Sequence, residues 1–128
     1  NWGAADGYIQ TEDDEVFVGV MIEKTTGVDE LDGILSTPEL GFAFIGPSDL
    51  SVQMGHPGEK THPEVVDEIQ KITEACHKAN VPTGVIKTDP DEIEAAVANG
   101  HRILRIGGDL SSITTTLGER IRTLRNDS

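Results

Sequence analysis

Apolar residues in this chain alternate between two patterns, unbroken short runs and runs spaced by three and four. Residues 16–22 are apolar at nearly every position, the pattern of a strand covered on both faces and therefore of a parallel sheet. Thr25 or Thr26 can cap a helix whose apolar side is Val28, Leu31, Ile34 and Leu35, and Pro38 stops it. Residues 42–45 return as a second buried strand, and residues 50–54 read as one short helical turn ending at Gly55. After the loop 56–61, His62-Pro63-Glu64 opens a long helix with proline in its first turn. Its apolar positions, from Val65 through Ile69, Ile72 and Cys76 to Ala79, keep helical spacing up to Asn80. A third strand is expected over 81–86. Asp89-Pro90-Asp91-Glu92 then starts a helix that ends at Asn99-Gly100. A fourth strand spans 102–106, and Asp109 caps a last helix carrying Leu110, Ile113, Leu117, Ile121 and Leu124. The polar tail 125–128 is expected to fray.

Strand and helix alternate through four β/α units over residues 16–125, preceded by a loop-like segment 1–15 with Gly3, Gly7 and an acidic run. Trp2 and Tyr8 are candidate anchors for that segment. Strict alternation means a parallel α/β sheet with helices outside it. A small open sheet and half of an eight-fold β/α barrel both satisfy the count. A barrel puts its chemistry at the C-terminal ends of its strands.

Carboxylates stand at those ends. Glu23 follows the first strand and Asp49 follows the second. Neighbouring strands lie about 4.8 Å apart, so one ion can reach both groups. Two carboxylates with no histidine or cysteine beside them suit a hard cation such as Mg²⁺ or Mn²⁺. The plain alternative is that Glu23 pairs with Lys24 while Asp49 caps the following helix. Gly46-Pro47-Ser48-Asp49 makes a rigid turn whose backbone N–H groups can face an anion such as a carboxylate. A 2-oxo acid then offers both its carboxylate and its keto oxygen, and the ion serves as a Lewis acid for the enolate.

Composition narrows the partners. The chain has 128 residues, at most one ordinary domain, and a net charge of −13 from 23 acidic and 10 basic side chains. That surface repels nucleic acid and anionic membranes, and its first explanation is a solvated face, as in a salt-rich cytoplasm. The single cysteine, Cys76, rules out an intrachain disulfide and reads as a half-buried structural thiol. A cytoplasmic location is expected. No run reaches the roughly 20 apolar residues needed to span a membrane, no charged-then-apolar leader opens the sequence, and the start at Asn1 reads as the middle of something longer.

Together Met21-Ile22-Glu23-Lys24, Phe44-Ile45-Gly46-Pro47-Ser48-Asp49-Leu50-Ser51, Met54-Gly55, His62-Pro63-Glu64-Val65 and Ile106-Gly107-Gly108-Asp109 resemble the HpcH/HpaI aldolase and citrate lyase family. The resemblance runs from about Trp2 onward, and Gly-Pro-Ser-Asp-Leu-Ser is its most specific part. It implies a class II, metal-dependent aldolase on a TIM-type (β/α)8 barrel, of which this chain supplies the C-terminal half, strands five to eight. It implies that Glu23 and Asp49 bind Mg²⁺, Mn²⁺ or a similar ion such as Co²⁺. It also implies that Gly46, Ser48 (through its backbone N–H) and Asp49 border the pyruvate unit. Met21 stands where several relatives have a substrate-contacting glutamine. The family's general-base histidine and substrate arginine belong to the first half of the barrel, so no residue here inherits those roles. Among the four histidines, only His56, in the loop after the site, is placed to face it. Lys87 reads as a surface lysine rather than a Schiff-base amine, and Gly107-Gly108 as a close backbone turn.

Three functions follow as expectations. The first is a carbon–carbon lyase that cleaves or forms 4-hydroxy-2-oxo acids through a metal-bound pyruvate enolate, with an aldehyde as the other partner. The second is an incomplete or split-barrel module that binds metal, or assembles with a partner, but is inactive alone. The third is a citrate-lyase-like acyl-CoA lyase. Half a barrel leaves two open sheet edges, so a homo-oligomer or a complementing half-barrel is expected.

Overall fold

The computed structural model describes residues 16–126. Four strands, β1 (Val18–Ile22), β2 (Leu40–Ile45), β3 (Thr83–Ile86) and β4 (Ile103–Arg105), form one parallel sheet in the order β1-β2-β3-β4. Six helices connect and follow them: α1 (Thr25–Asp29), α2 (Leu31–Leu35), α3 (Pro47–Gln53), α4 (Pro63–Lys78), α5 (Pro90–Ala98) and α6 (Asp109–Asn126). The reading of residues 1–15 as a loop anchored by Trp2 and Tyr8 lies outside the described residues.

Register explains how the sheet is covered. Side chains alternate across a strand, and in-register neighbours share a face. Val20, Ile22, Ala43, Ile45, Thr83, Val85 and Leu104 therefore lie on one side. That side is the core, where Leu31, Leu35, Leu50, Ile72, Cys76 and Ala96 from the helices pack on it. The other side carries Gly19, Met21, Phe42, Phe44, Gly84, Ile86, Ile103 and Arg105. No described helix covers it. Its aromatic rings lie over glycines instead, Phe42 over Gly19 and Phe44 over Gly84.

This corrects the expectation that the first strand is covered on both faces. Met21 is 57% exposed, whereas Ile22 beside it is 2% exposed. An unbroken apolar run reports that both faces want cover, but the cover for the Met21 face is not among the described residues.

Helix boundaries also differ in places. The segment after β1 is two short helices interrupted at Glu30, with Lys24 rather than Thr25 or Thr26 at the first N-cap and no side-chain cap there. The weak helix formers Gly27 and Gly33 lie on either side of the break, one in each short helix. Helix α3 begins at Pro47, not Leu50, because proline's fixed φ suits the first helical position. Helix α6 continues through Asn126, so residues 125 and 126 are helical rather than frayed. Its apolar stripe, Leu110, Ile113, Leu117, Ile121 and Leu124, stays exposed. Cys76 is fully buried rather than half-buried.

Helix α6 has Asp109 as its first residue rather than its cap, the Gly108 carbonyl accepting the Ser112 N–H at 2.9 Å, while the starts of α5 and α4 follow the sequence. Asp89 accepts the N–H groups of Asp91 and Glu92 at 3.0 and 3.3 Å and so caps α5. His62 caps α4, its Nδ1 accepting the Glu64 N–H at 3.3 Å.

Candidate active site

Ile22 and Ile45 are in register at the ends of β1 and β2, and the Gly46 N–H continues the ladder by donating to the Ile22 carbonyl at 2.9 Å. Glu23 therefore sits beside Gly46, one residue beyond each strand. By alternation Glu23 has the same parity as Gly19 and Met21, so it belongs to the open face of the sheet. A Cβ on Gly46 would meet Glu23 Cβ at 2.9 Å and Glu23 Oε2 at 3.2 Å. The half-buried carboxylate of Glu23 thus occupies space that only a glycine leaves.

Helix α3 opens at this point. Gly46 is its N-cap, Pro47 its first residue, and Ser48 and Asp49 complete the first turn. First-turn N–H groups have no acceptor inside a helix, and proline removes one of them, so those of Ser48 and Asp49 are left to face outward. Leu50 and Ser51, both fully buried, fasten the helix from behind. The Ser51 hydroxyl donates to the Ser48 carbonyl at 2.7 Å, tightening the turn that presents Asp49. Ser51 was legible only as part of the motif. Its burial gives it this positioning role.

The carboxylates of Glu23 and Asp49 make no hydrogen bond or ion pair with another described residue, so neither a Glu23–Lys24 pair nor an Asp49 cap is formed. Both are carboxylate oxygen donors, the donor type that a hard divalent cation takes.

Other candidates go elsewhere. His56 Nε2 is 2.8 Å from Glu64 Oε2, and its ring stacks on His62 with centroids 3.6 Å apart. The hydrogen bond and charge of His56 pull the Glu64 carboxyl below its ordinary range. Lys87 Nζ donates to Glu92 Oε1 at 3.1 Å, as a surface lysine does. His101 lies at the opposite end of the sheet, its Nδ1 2.8 Å from Thr83 Oγ1. Burial, followed by the positive charges of His77 and Lys87, lowers its pKa. A groove of about 810 Å³ runs along α4 and α5 past Thr73, His77, Glu92 and Asn99, but neither Glu23, Ser48 nor Asp49 lines it.

Residues 4–116 match the model of the HpcH/HpaI aldolase/citrate lyase family. The chain belongs to that family, and its parallel sheet is part of the family's TIM-type barrel. It is 30% identical over 127 residues to a 2-keto-3-deoxy-L-rhamnonate aldolase of Klebsiella pneumoniae, covering 99% of this chain and 48% of that protein. It is 31% identical over 120 residues to a hydroxypyruvate/pyruvate aldolase of Chromohalobacter salexigens, covering 94% of this chain and 47% of that one. A solved HpcH/HpaI aldolase/citrate lyase family protein from Burkholderia cenocepacia superposes with a TM-score of 0.85 at 29% identity, over 96% of this chain and 48% of its own. The chain thus spans about half the length of the relatives it matches.

Proposed function

We propose that this chain carries the metal-binding half of the active site of a class II aldolase, a carbon–carbon lyase acting on 4-hydroxy-2-oxo acids. One observation carries the reading: the Glu23 carboxylate lies in the space left by Gly46, where the helix bearing Asp49 begins. In this reading Glu23 and Asp49 are the protein ligands of a divalent ion, Mg²⁺ or Mn²⁺, with Co²⁺ as a substitute. Bound there, the ion supplies Lewis-acid polarisation of a 2-oxo acid's keto oxygen. The N–H groups of Ser48 and Asp49 hold the substrate carboxylate, and Gly46, at the start of that turn, borders the pyruvate unit while leaving room for the Glu23 carboxylate. The general base and the substrate arginine come from the half of the barrel that these residues do not include. The named relatives, both aldolases, support the reaction class.

The test is cleavage of a 4-hydroxy-2-oxo acid to pyruvate and an aldehyde, with Mn²⁺, by this chain together with the half of the barrel that supplies the base and the arginine. Activity that Asp49→Ala abolishes supports the proposal. An active Asp49→Ala protein overturns it.

A second reading is favoured by the uncovered face of Met21, Phe42 and Phe44 together with the half-length match. There the 128-residue chain binds metal but works only when another half-barrel, or a second copy, closes the sheet. Light scattering decides this: self-association or complementation is expected, and a stable inactive monomer counts against it. A cytoplasmic setting is part of the proposal. No helix among the described residues is long and apolar enough to cross a membrane.

A further inference from the structure

We propose that His56, Glu59 and His62 form a second cation site, for a borderline transition-metal ion of the Zn²⁺ type, on the loop between α3 and α4. It is distinct in position and donor set from the carboxylate pair at Glu23 and Asp49, and it does not depend on the aldolase reading.

The loop is folded into consecutive turns. The His56 N–H donates to the Ser51 carbonyl at 2.8 Å, the Glu59 N–H to the His56 carbonyl at 3.0 Å, and the His62 N–H to the Glu59 carbonyl at 2.8 Å. Gly58, at φ +83°, supplies the left-handed step that this path needs. Spacing of three and then three brings the side chains together. One ligand atom from each of His56, Glu59 and His62 lies within 4.8 Å of the other two.

The donors are suited to an ion. Glu64 Oε2 sits 2.8 Å from His56 Nε2, so the neutral tautomer that donates from Nε2 to this carboxylate presents the Nδ1 lone pair. A carboxylate behind a histidine is the usual support for a metal-binding imidazole. His62 Nδ1 holds only the 3.3 Å contact from the Glu64 N–H, a weak bond that the ring gives up on turning toward an ion. Zn–N bonds of about 2.0–2.1 Å in tetrahedral geometry put ligand atoms roughly 3.3 Å apart. Side-chain rotation closes that gap: the stacked imidazoles splay at the metal end, and exposed Glu59 swings without opposing packing. Two imidazoles and one carboxylate favour Zn²⁺, Co²⁺ or Ni²⁺ over Mg²⁺, which wants oxygen alone. An ion held there clips the end of α3 to the start of α4. Since the loop's first residue is bonded to Ser51, the clip also steadies the helix that presents Asp49.

The experiment is calorimetric Zn²⁺ titration of chelator-stripped protein in excess Mg²⁺, with Co²⁺ absorption as a spectroscopic check. One Zn²⁺ should bind, and should still bind in the Glu23→Gln/Asp49→Asn double variant. His56→Gln and His62→Asn should each weaken it at least about tenfold, while His77→Gln leaves it unchanged. Asparagine preserves a helix N-cap, and circular dichroism checks that both variants remain folded. Zn²⁺ binding unaffected in both variants, absent altogether, or lost only with Asp49 overturns the proposal.

Discussion

Replacing Gly46 with alanine tests the site by a single added methyl. Gly46 has φ −102° and ψ 84°, open to any L-residue, so the backbone does not resist the change. The resistance is steric. The new Cβ meets Glu23 Cβ at 2.9 Å, against a comfortable carbon–carbon separation of about 3.5–4.0 Å. Glu23 must therefore retreat by roughly 0.6–1 Å. Overpacking of this kind costs about 1–3 kcal/mol of stability. It also carries the carboxylate outside the tolerance of about 0.2 Å on a metal–ligand distance. Mn²⁺ affinity should fall ten- to a hundredfold, about 1.4–2.8 kcal/mol, measured by electron paramagnetic resonance alongside urea unfolding. Gly55→Ala is the control. Gly55 has φ +85° and nothing within 4 Å of its Cβ position, so alanine there costs about 1–2 kcal/mol of backbone strain and leaves Mn²⁺ binding alone. Mn²⁺ binding unchanged in Gly46→Ala, or equally weakened in Gly55→Ala, refutes the placement of Glu23.

Burial pushes the Cys76 thiol up and removes it from solvent, so the native protein should resist an aromatic disulfide reagent that labels it fully in urea; rapid native labelling would contradict this. His101 has a lowered pKa, so below about pH 6.5 the unfolded chain takes up a proton that the native ring refuses. Its contribution to stability is present above that value and is lost as pH falls toward and through the folded pKa. The urea midpoint should drop over this range, and less steeply in His101→Gln; identical slopes would refute the assignment.

The four β/α units were legible because short apolar runs and amphipathic stretches have different periods, and proline and glycine mark the joins. The placement of Glu23 and Asp49 at one end of the sheet followed from parallel pairing alone. Coverage did not follow, because Val18 and Met21 look as apolar as Ile22, and no local pattern states which face another part of the barrel will cover. Pro47 was the available signal for the start of α3. The grouping of His56 with Glu59 and His62 is not visible in any single histidine, because it depends on how the loop turns between them. The turn residues Pro57 and Gly58, with spacing of three on either side of Glu59, were the pattern that joins them.

The most direct measurement of the central claim is a Mn²⁺ titration of the purified protein beside Glu23→Gln and Asp49→Asn, each keeping the shape of its side chain while removing its charge. One tight Mn²⁺ in the wild type, weakened by at least about tenfold in either variant, is the result expected if these two carboxylates hold the ion. Wild-type affinity in both variants would contradict it.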